Sequence, residues 1–128
     1  MKIHHISLTV KDLESSIDFY TRHFGLSVAH QFEKKDAGAK AVFLGAGNSF
    51  IELFSFDEKK IGEITGLDTT GIKHVAFQTE DINAEHARLL AEGLECKPIK
   101  DGASRGKYFF THDPDGNQIE IYYPNLKT

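Results

Sequence analysis

Apolar and polar residues alternate strictly at the start of the chain. From Ile3 to Val10, Ile6, Leu8 and Val10 fall on one side and His5, Ser7 and Thr9 on the other. A period of two predicts a half-buried β-strand. The period then changes. Leu13, Ile17, Tyr20 and Phe24 recur at helical spacing, with Asp12 as the N-cap and Gly25 as the stop. Strands are expected near 26–34, 40–45 and 49–56, with Gly45-Ala46-Gly47-Asn48 turning between the last two. The second half has its strand at 72–79, a helix from Asp81 to Gly93, and later strands near 94–99, 107–112 and 118–123. Asp113-Pro114-Asp115-Gly116-Asn117 is a turn signal. Residues 57–71 have no period and read as a linker with at most one helical turn.

The chain is therefore written twice. Ile3 to Leu13 (IHHISLTVKDL) matches Ile72 to Ile82 (IKHVAFQTEDI) at an offset of 69 residues. Phe50 to Phe54 (FIELF) matches Gln118 to Tyr122 (QIEIY) at an offset of 68. Each half reads β-α-β-β-β, giving modules 1–56 and 72–124 joined by linker 57–71 within one domain, 1–128. A module of about 60 residues is marginal alone. The two are expected to pair, within one chain or by exchange between two chains.

The alternation also sorts the chemistry by face. His5 and His74 lie on the strand faces turned away from the helices. Glu52 and Glu120 do the same in the closing strands, where Ile51, Leu53, Ile119 and Ile121 point inward. Phe50, Phe54, Phe56 and Tyr122 share the outward side with the two carboxylates. A carboxylate among aromatic rings is costly unless a cation or hydrogen-bond donors compensate it, and two in one site repel. A divalent metal removes both difficulties. Two imidazoles and two carboxylates suit a borderline or transition ion and leave room for water or substrate. The recurrence of the same pair in both halves singles out His5, Glu52, His74 and Glu120 as metal ligands. His4 is expected on the face opposite His5. His23, His30, His86 and His112 have no counterpart in the other half and are expected to be structural.

Charge and composition narrow the partners. The 128 residues carry a formal net charge of −4, which argues against a nucleic-acid footprint. No apolar stretch is long enough to span a membrane, and MKIHHISLTV lacks the pattern of a signal peptide. Cys96 is the single cysteine, consistent with a reducing compartment and a cytoplasmic location. Lys100 to Lys107 (KDGASRGK) forms a Gly-bearing basic loop in which Arg105 and Lys107 could meet an anion.

HHISLTVKDLESSIDFYTRHFGL, FIELFSF, KHVAFQTEDI and DPDGNQIEIYY together resemble the vicinal oxygen chelate superfamily of glyoxalases, bleomycin-resistance proteins and dioxygenases. The resemblance covers nearly the whole chain. It implies an α+β fold of two βαβββ modules curving into a mixed-sheet trough, a homodimer, and one divalent ion per site (nickel, cobalt, zinc, manganese or iron). A His-Glu-His-Glu set resembles glyoxalase I most closely, whereas the epimerase branch has Gln at the position of Glu52. By that resemblance the activity is a lyase or isomerase of the lactoylglutathione lyase kind. A hemithioacetal chelates the metal, a carboxylate moves a proton through a metal-stabilised enediolate, and a thioester results. Glu120 is the expected base, with Glu52 as the symmetric alternative. Thr9 and Phe56 stand where the glutathione-binding type usually has Arg and Asn. The substrate pocket is expected at Thr9, Phe54, Phe56, Arg105, Lys107 and Tyr122, with a more apolar character. A dioxygenase or thiol transferase on the same metal, or a non-enzymatic binder of a small molecule such as an antibiotic, are the alternatives.

Overall fold

The computed structural model describes residues 1–124. It divides into two compact units, Met1–Gly62 and Glu63–Thr128. The first contains strand β1 (His5–Thr9), helix α1 (Leu13–Phe24), and strands β2 (Ser27–Lys34), β3 (Ala39–Ala46) and β4 (Ser49–Phe56). The second contains β5 (His74–Gln78), α2 (Ile82–Ala91), β6 (Lys100–Asp101), β7 (Lys107–His112) and β8 (Gln118–Tyr123). Both sheets are mixed and have the same topology, β1-β4-β3-β2 and β5-β8-β7-β6. In each, the first and last strands run parallel and the other neighbours antiparallel. The fold is thus α+β, built from two βαβββ modules.

The helices begin and end for local reasons. Asp12 accepts from the Ser15 amide and Asp81 from the Ala84 amide, so each cap satisfies one donor of the first turn. Gly25 is left-handed at φ 66° and ends α1. The inner face of the first sheet buries Val42, Leu44, Ile51 and Leu53 with Tyr20 of α1. Phe109, Ile119 and Ile121 do the same beside Ile82 and Leu89 of α2. Full burial of each such side chain contributes about 1.5–3 kcal/mol.

Two local expectations, the strand at 94–99 and the face of His4, are corrected. Residues 94–99 form no strand, although the Lys97 amide donates to the Phe110 carbonyl of β7 (2.9 Å); the paired strand is Lys100–Asp101. Pro98 cannot donate to a ladder, and side chains take the carbonyls there. The Thr111 hydroxyl donates to the Glu95 carbonyl (2.7 Å) and the His86 ring bonds the Lys97 carbonyl (2.9 Å). Residues 57–71 contain turns and bends but no helix. An unforeseen 3₁₀ turn, Lys35–Ala37, joins β2 to β3. His4 precedes β1 and escapes its alternation, so its ring packs beside His5 rather than opposite it.

The Asp113 turn is a tight corner closed by hydrogen bonds. Asp113 is 1% exposed. Its carboxylate accepts from the Asp115 and Asn117 amides and the Asn117 side chain, each at 2.9 Å. This corner sets where β8 begins and hence the register of Glu120. Replacing Asp113 with Ala strands three donors, and the cost is expected to be about 3 kcal/mol. Urea denaturation should show a lower midpoint for Asp113→Ala; an unchanged midpoint would contradict this account.

Candidate metal-binding pairs and the sheet faces that carry them

Parallel pairing sets Ser7 opposite Glu52 in the first sheet and Ala76 opposite Glu120 in the second. Each His lies two residues before that position, on the same face of its strand. In the first unit, His5 Nε2 lies 3.5 Å from Glu52 Oε1. In the second, His74 Nε2 lies 3.7 Å from Glu120 Oε2. The sequence-expected pair is thus formed inside each unit. Among the described residues, no three His, Cys, Asp or Glu side chains gather as they would around an ion. Each unit offers two donors.

The surroundings of these pairs are apolar. Glu52 is 8% exposed, and among the described residues no hydrogen-bond donor reaches its carboxylate. The same holds for the half-buried Glu120. Two carboxylates that have left much of their water without gaining donors are suited to a cation. Each pair also combines borderline nitrogen with hard oxygen, a donor set that divalent transition ions accept. The residues therefore fit a metal.

Two ring contacts were not anticipated from the sequence. Phe43 lies in register with Glu52 and Phe110 with Glu120. Phe43 meets the His5 ring edge-on, 5.2 Å between centroids, and Phe110 meets His74 in the same way at 5.2 Å. Phe43 and Phe110 are separated by 67 residues, close to the repeat offset. That near-match was the signal available in the sequence. Each Phe limits how its imidazole can turn, at a favourable energy of about 0.5–1.5 kcal/mol if aromatic pairs are a guide.

Away from the pairs the two faces differ. On the first sheet, Phe32 approaches Phe43 and Phe54, and Phe54 stacks on Phe56 with centroids 6.0 Å apart. Lys34 Nζ lies 5.9 Å from the Phe54 ring centre, within cation–π range. Thr9 is exposed and in register with Phe54. On the second, the Tyr122 hydroxyl bonds the Ser104 hydroxyl at 2.6 Å, which ties the 102–106 loop to the strand bearing Glu120. Gly106 is required there, because a Cβ would come within 2.6 Å of the Tyr122 hydroxyl oxygen. Arg105 takes a left-handed φ of 72°. Lys107 is held by Asp101 at 3.0 Å, so its charge is already balanced.

The remaining histidines have structural partners. His86 bonds the Lys97 carbonyl and meets Phe109 edge-on. His112 bonds the Asp113 carbonyl and faces Glu95 at 3.5 Å. That carbonyl contact, with help from Glu95, raises its pKa despite partial burial. His30 stacks on Phe32.

Comparison with known proteins identifies the family. Residues 2–121 match the Glyoxalase/Bleomycin resistance protein/Dioxygenase superfamily. The chain is 32% identical to the uncharacterized protein YwkD of Bacillus subtilis, covering 94% of each. It is also 32% identical to a probable lactoylglutathione lyase of Vibrio parahaemolyticus, covering 94% of this chain and 88% of that one. A glyoxalase family protein from Enterococcus faecalis superposes with a TM-score of 0.82 at 25% identity, over 94% of this chain and 96% of that chain. The fosfomycin resistance protein FosX of Listeria monocytogenes, in complex with Mn(II) and sulfate, superposes with a TM-score of 0.71 at 24% identity, covering 98% and 94%. The duplicated βαβββ modules and the family match over nearly the whole chain establish that this protein belongs to the Glyoxalase/Bleomycin resistance protein/Dioxygenase superfamily.

Proposed function

We propose that the protein is a metal-dependent lyase or isomerase of the glyoxalase I kind, acting on a small oxygenated substrate of the thiol-adduct class. The observation that carries this reading is the imidazole–carboxylate pair present in both units, at 3.5 and 3.7 Å, with no hydrogen-bond donor on either carboxylate among the described residues. His5, Glu52, His74 and Glu120 together would hold one divalent ion. Since each unit supplies two ligands, the pairs come from one chain or from two copies. Such an ion, when bound, supplies a Lewis acid that acidifies the C–H bond beside two chelated oxygens.

The chain's own groups do the rest. Glu120 is the general base: a carboxylate oxygen takes the proton from the sulfur-bearing carbon and returns it to the neighbouring carbon, while the hydroxyl proton passes from the first carbon's oxygen to the second's. Glu52 is its counterpart. The net change is an isomerisation in which no atom is gained or lost. Phe54 and Phe56 offer an apolar surface to the substrate body, with Thr9 beside them. Tyr122 shares a strand face with Glu120, and Arg105 belongs to the loop that the Ser104 hydroxyl ties to Tyr122. Arg105 forms no ion pair among the described residues, whereas Lys107 is engaged by Asp101. A homodimer is supported by the exposed apolar side chains of Ile61, Ile64, Leu67 and Ile72, from 54% to 83% exposed, which a second copy would cover.

The activity test follows thioester absorbance from methylglyoxal with glutathione and with smaller thiols, after loading with nickel, cobalt, zinc, manganese or iron. Thioester formation is expected, with a fall of about 10²–10⁴-fold in Glu120→Gln. Turnover of catechols with iron(II) and oxygen, or thiol transfer to fosfomycin, without thioester would overturn the lyase reading in favour of another branch. Protein that binds no divalent ion would overturn the metal reading itself.

Glu52→Gln separates stability from binding. In chelator at pH 8, removing a buried charge that has no donor should stabilise the protein by about 1 kcal/mol in urea titrations. The same change should weaken ion binding in calorimetry, since a neutral amide replaces an anion. Lower stability together with unchanged affinity would remove Glu52 from the site.

Mixing distinguishes the two ways of bringing the pairs together. If sites form between copies, co-refolding Glu52→Gln with Glu120→Gln regenerates one intact site per heterodimer, and activity reappears. If both pairs come from one chain, each mixed dimer carries only damaged sites and activity stays low.

A further inference from the structure

We propose that His4 is a positioning residue for His5: its Nδ1 accepts the His5 Nδ1 proton and so leaves His5 Nε2 bare for an ion. The inference rests on the metal reading above. It is carried by one contact, His4 Nδ1 to His5 Nδ1 at 2.9 Å. The other ring nitrogen of His5, Nε2, is the one that faces Glu52, at 3.5 Å. The short contact and the carboxylate thus lie on opposite nitrogens of a single imidazole. A neutral imidazole has one proton, so giving Nε2 to an ion places that proton on Nδ1. An acceptor at Nδ1 then fixes both the tautomer and the ring plane, which is how outer partners of ligating histidines act.

The His4 ring is itself held in place. It lies 5.0 Å from the Phe50 ring at a tilt of 31°, and it meets Phe43 edge-on at 5.9 Å. Phe43 also meets His5 edge-on, so one ring braces both imidazoles. The His4 carbonyl accepts from the Phe50 amide at 2.9 Å, which anchors its backbone to β4, the strand that carries Glu52. The second module lacks this device. Lys73 stands where His4 would be and bonds Thr65 at 2.7 Å. Among the described residues, no hydrogen bond holds a ring nitrogen of His74. The duplicated imidazoles are therefore unequal: among the described residues, His5 has a ring partner on Nδ1, whereas His74 meets only the Phe110 ring and the Glu120 carboxylate.

The test compares His4→Phe, which keeps a ring against Phe43 and Phe50 but removes the acceptor, with His4→Asn, whose side-chain oxygen can occupy the Nδ1 position. Zinc(II) serves as the diamagnetic probe. By calorimetry, zinc affinity should fall about 10–100-fold in His4→Phe and return to within a few-fold of the parent in His4→Asn. In ¹⁵N spectra of the zinc-loaded parent, His5 should carry its proton on Nδ1 and show a through-hydrogen-bond coupling to His4 Nδ1. His74 should show no such coupling and should be unaffected by either substitution. Parent-like affinity in His4→Phe, or no coupling between the two rings, would overturn the inference while leaving the metal site standing. A parent protein that binds no zinc would instead overturn the metal reading and this inference with it. If His4→Phe fails to fold, loss of affinity in folded His4→Ala together with recovery in His4→Asn decides the matter.

Discussion

A carboxylate fixed on a sheet face, with no hydrogen-bond donor among the described residues, is the constraint on which the rest of this structure turns. Glu52 is nearly buried, and its closest basic neighbour is an imidazole at 3.5 Å. Its position is set by register. Ser7 and Glu52 are partners in the parallel pair of β1 and β4, so His5 and Glu52 share a face. A slip of one residue would send Glu52 toward α1 and Ile51 toward the open side. The helix between β1 and β2, the antiparallel return through β3, and the buried Ile51 and Leu53 all resist that slip. The apolar core is thus what holds an otherwise unfavourable charge where chemistry can use it.

Duplication makes this constraint informative, and its imperfections more so. His5 and His74, Glu52 and Glu120, and Phe43 and Phe110 occupy equivalent places. Beyond them the equivalence fails. The first sheet continues into Phe32, Phe54 and Phe56, whereas the second meets the Ser104–Tyr122 bond and a Gly-bearing loop. A face of rings binds apolar surface without direction. A loop with hydroxyls and an arginine prefers a polar group in a particular place. Two copies of one framework carry the same imidazole–carboxylate pair and differ in what surrounds it.

How legible this was from the sequence depended on the kind of order involved. The period of two set the faces of β1, β4, β5 and β8, and with them all four candidate ligands. Asp12 and Asp81 marked the helix starts by a local hydrogen bond that needs no tertiary partner. The segment 94–99 was misleading because its apolar spacing resembles a strand, while its carbonyls are captured by Thr111 and His86 from elsewhere in the chain. His4 lies outside the alternation because β1 begins at His5. The role of Phe43 and Phe110 depends on cross-strand register, which a single strand's pattern does not contain. Local preferences were readable; contacts made by long-range pairing were not.

The division of ligands between two units bears on how such a site would work. A pair of donors at 3.5 Å binds a divalent ion weakly on its own, since most of the ion's coordination remains water. Two pairs held together bind it far more tightly, because the second engagement is intramolecular. Ion binding at the proposed four-ligand site is then linked to association of the modules: whatever holds them together raises affinity, and the ion in turn stabilises the assembled form by mass action. On the proposed reading, the ion would be the partner that each carboxylate lacks among the described residues, and a module that had satisfied its own Glu with backbone amides or an arginine would have less to gain from it. On this argument the strain in each half and the affinity of the whole are the same free energy seen from two sides.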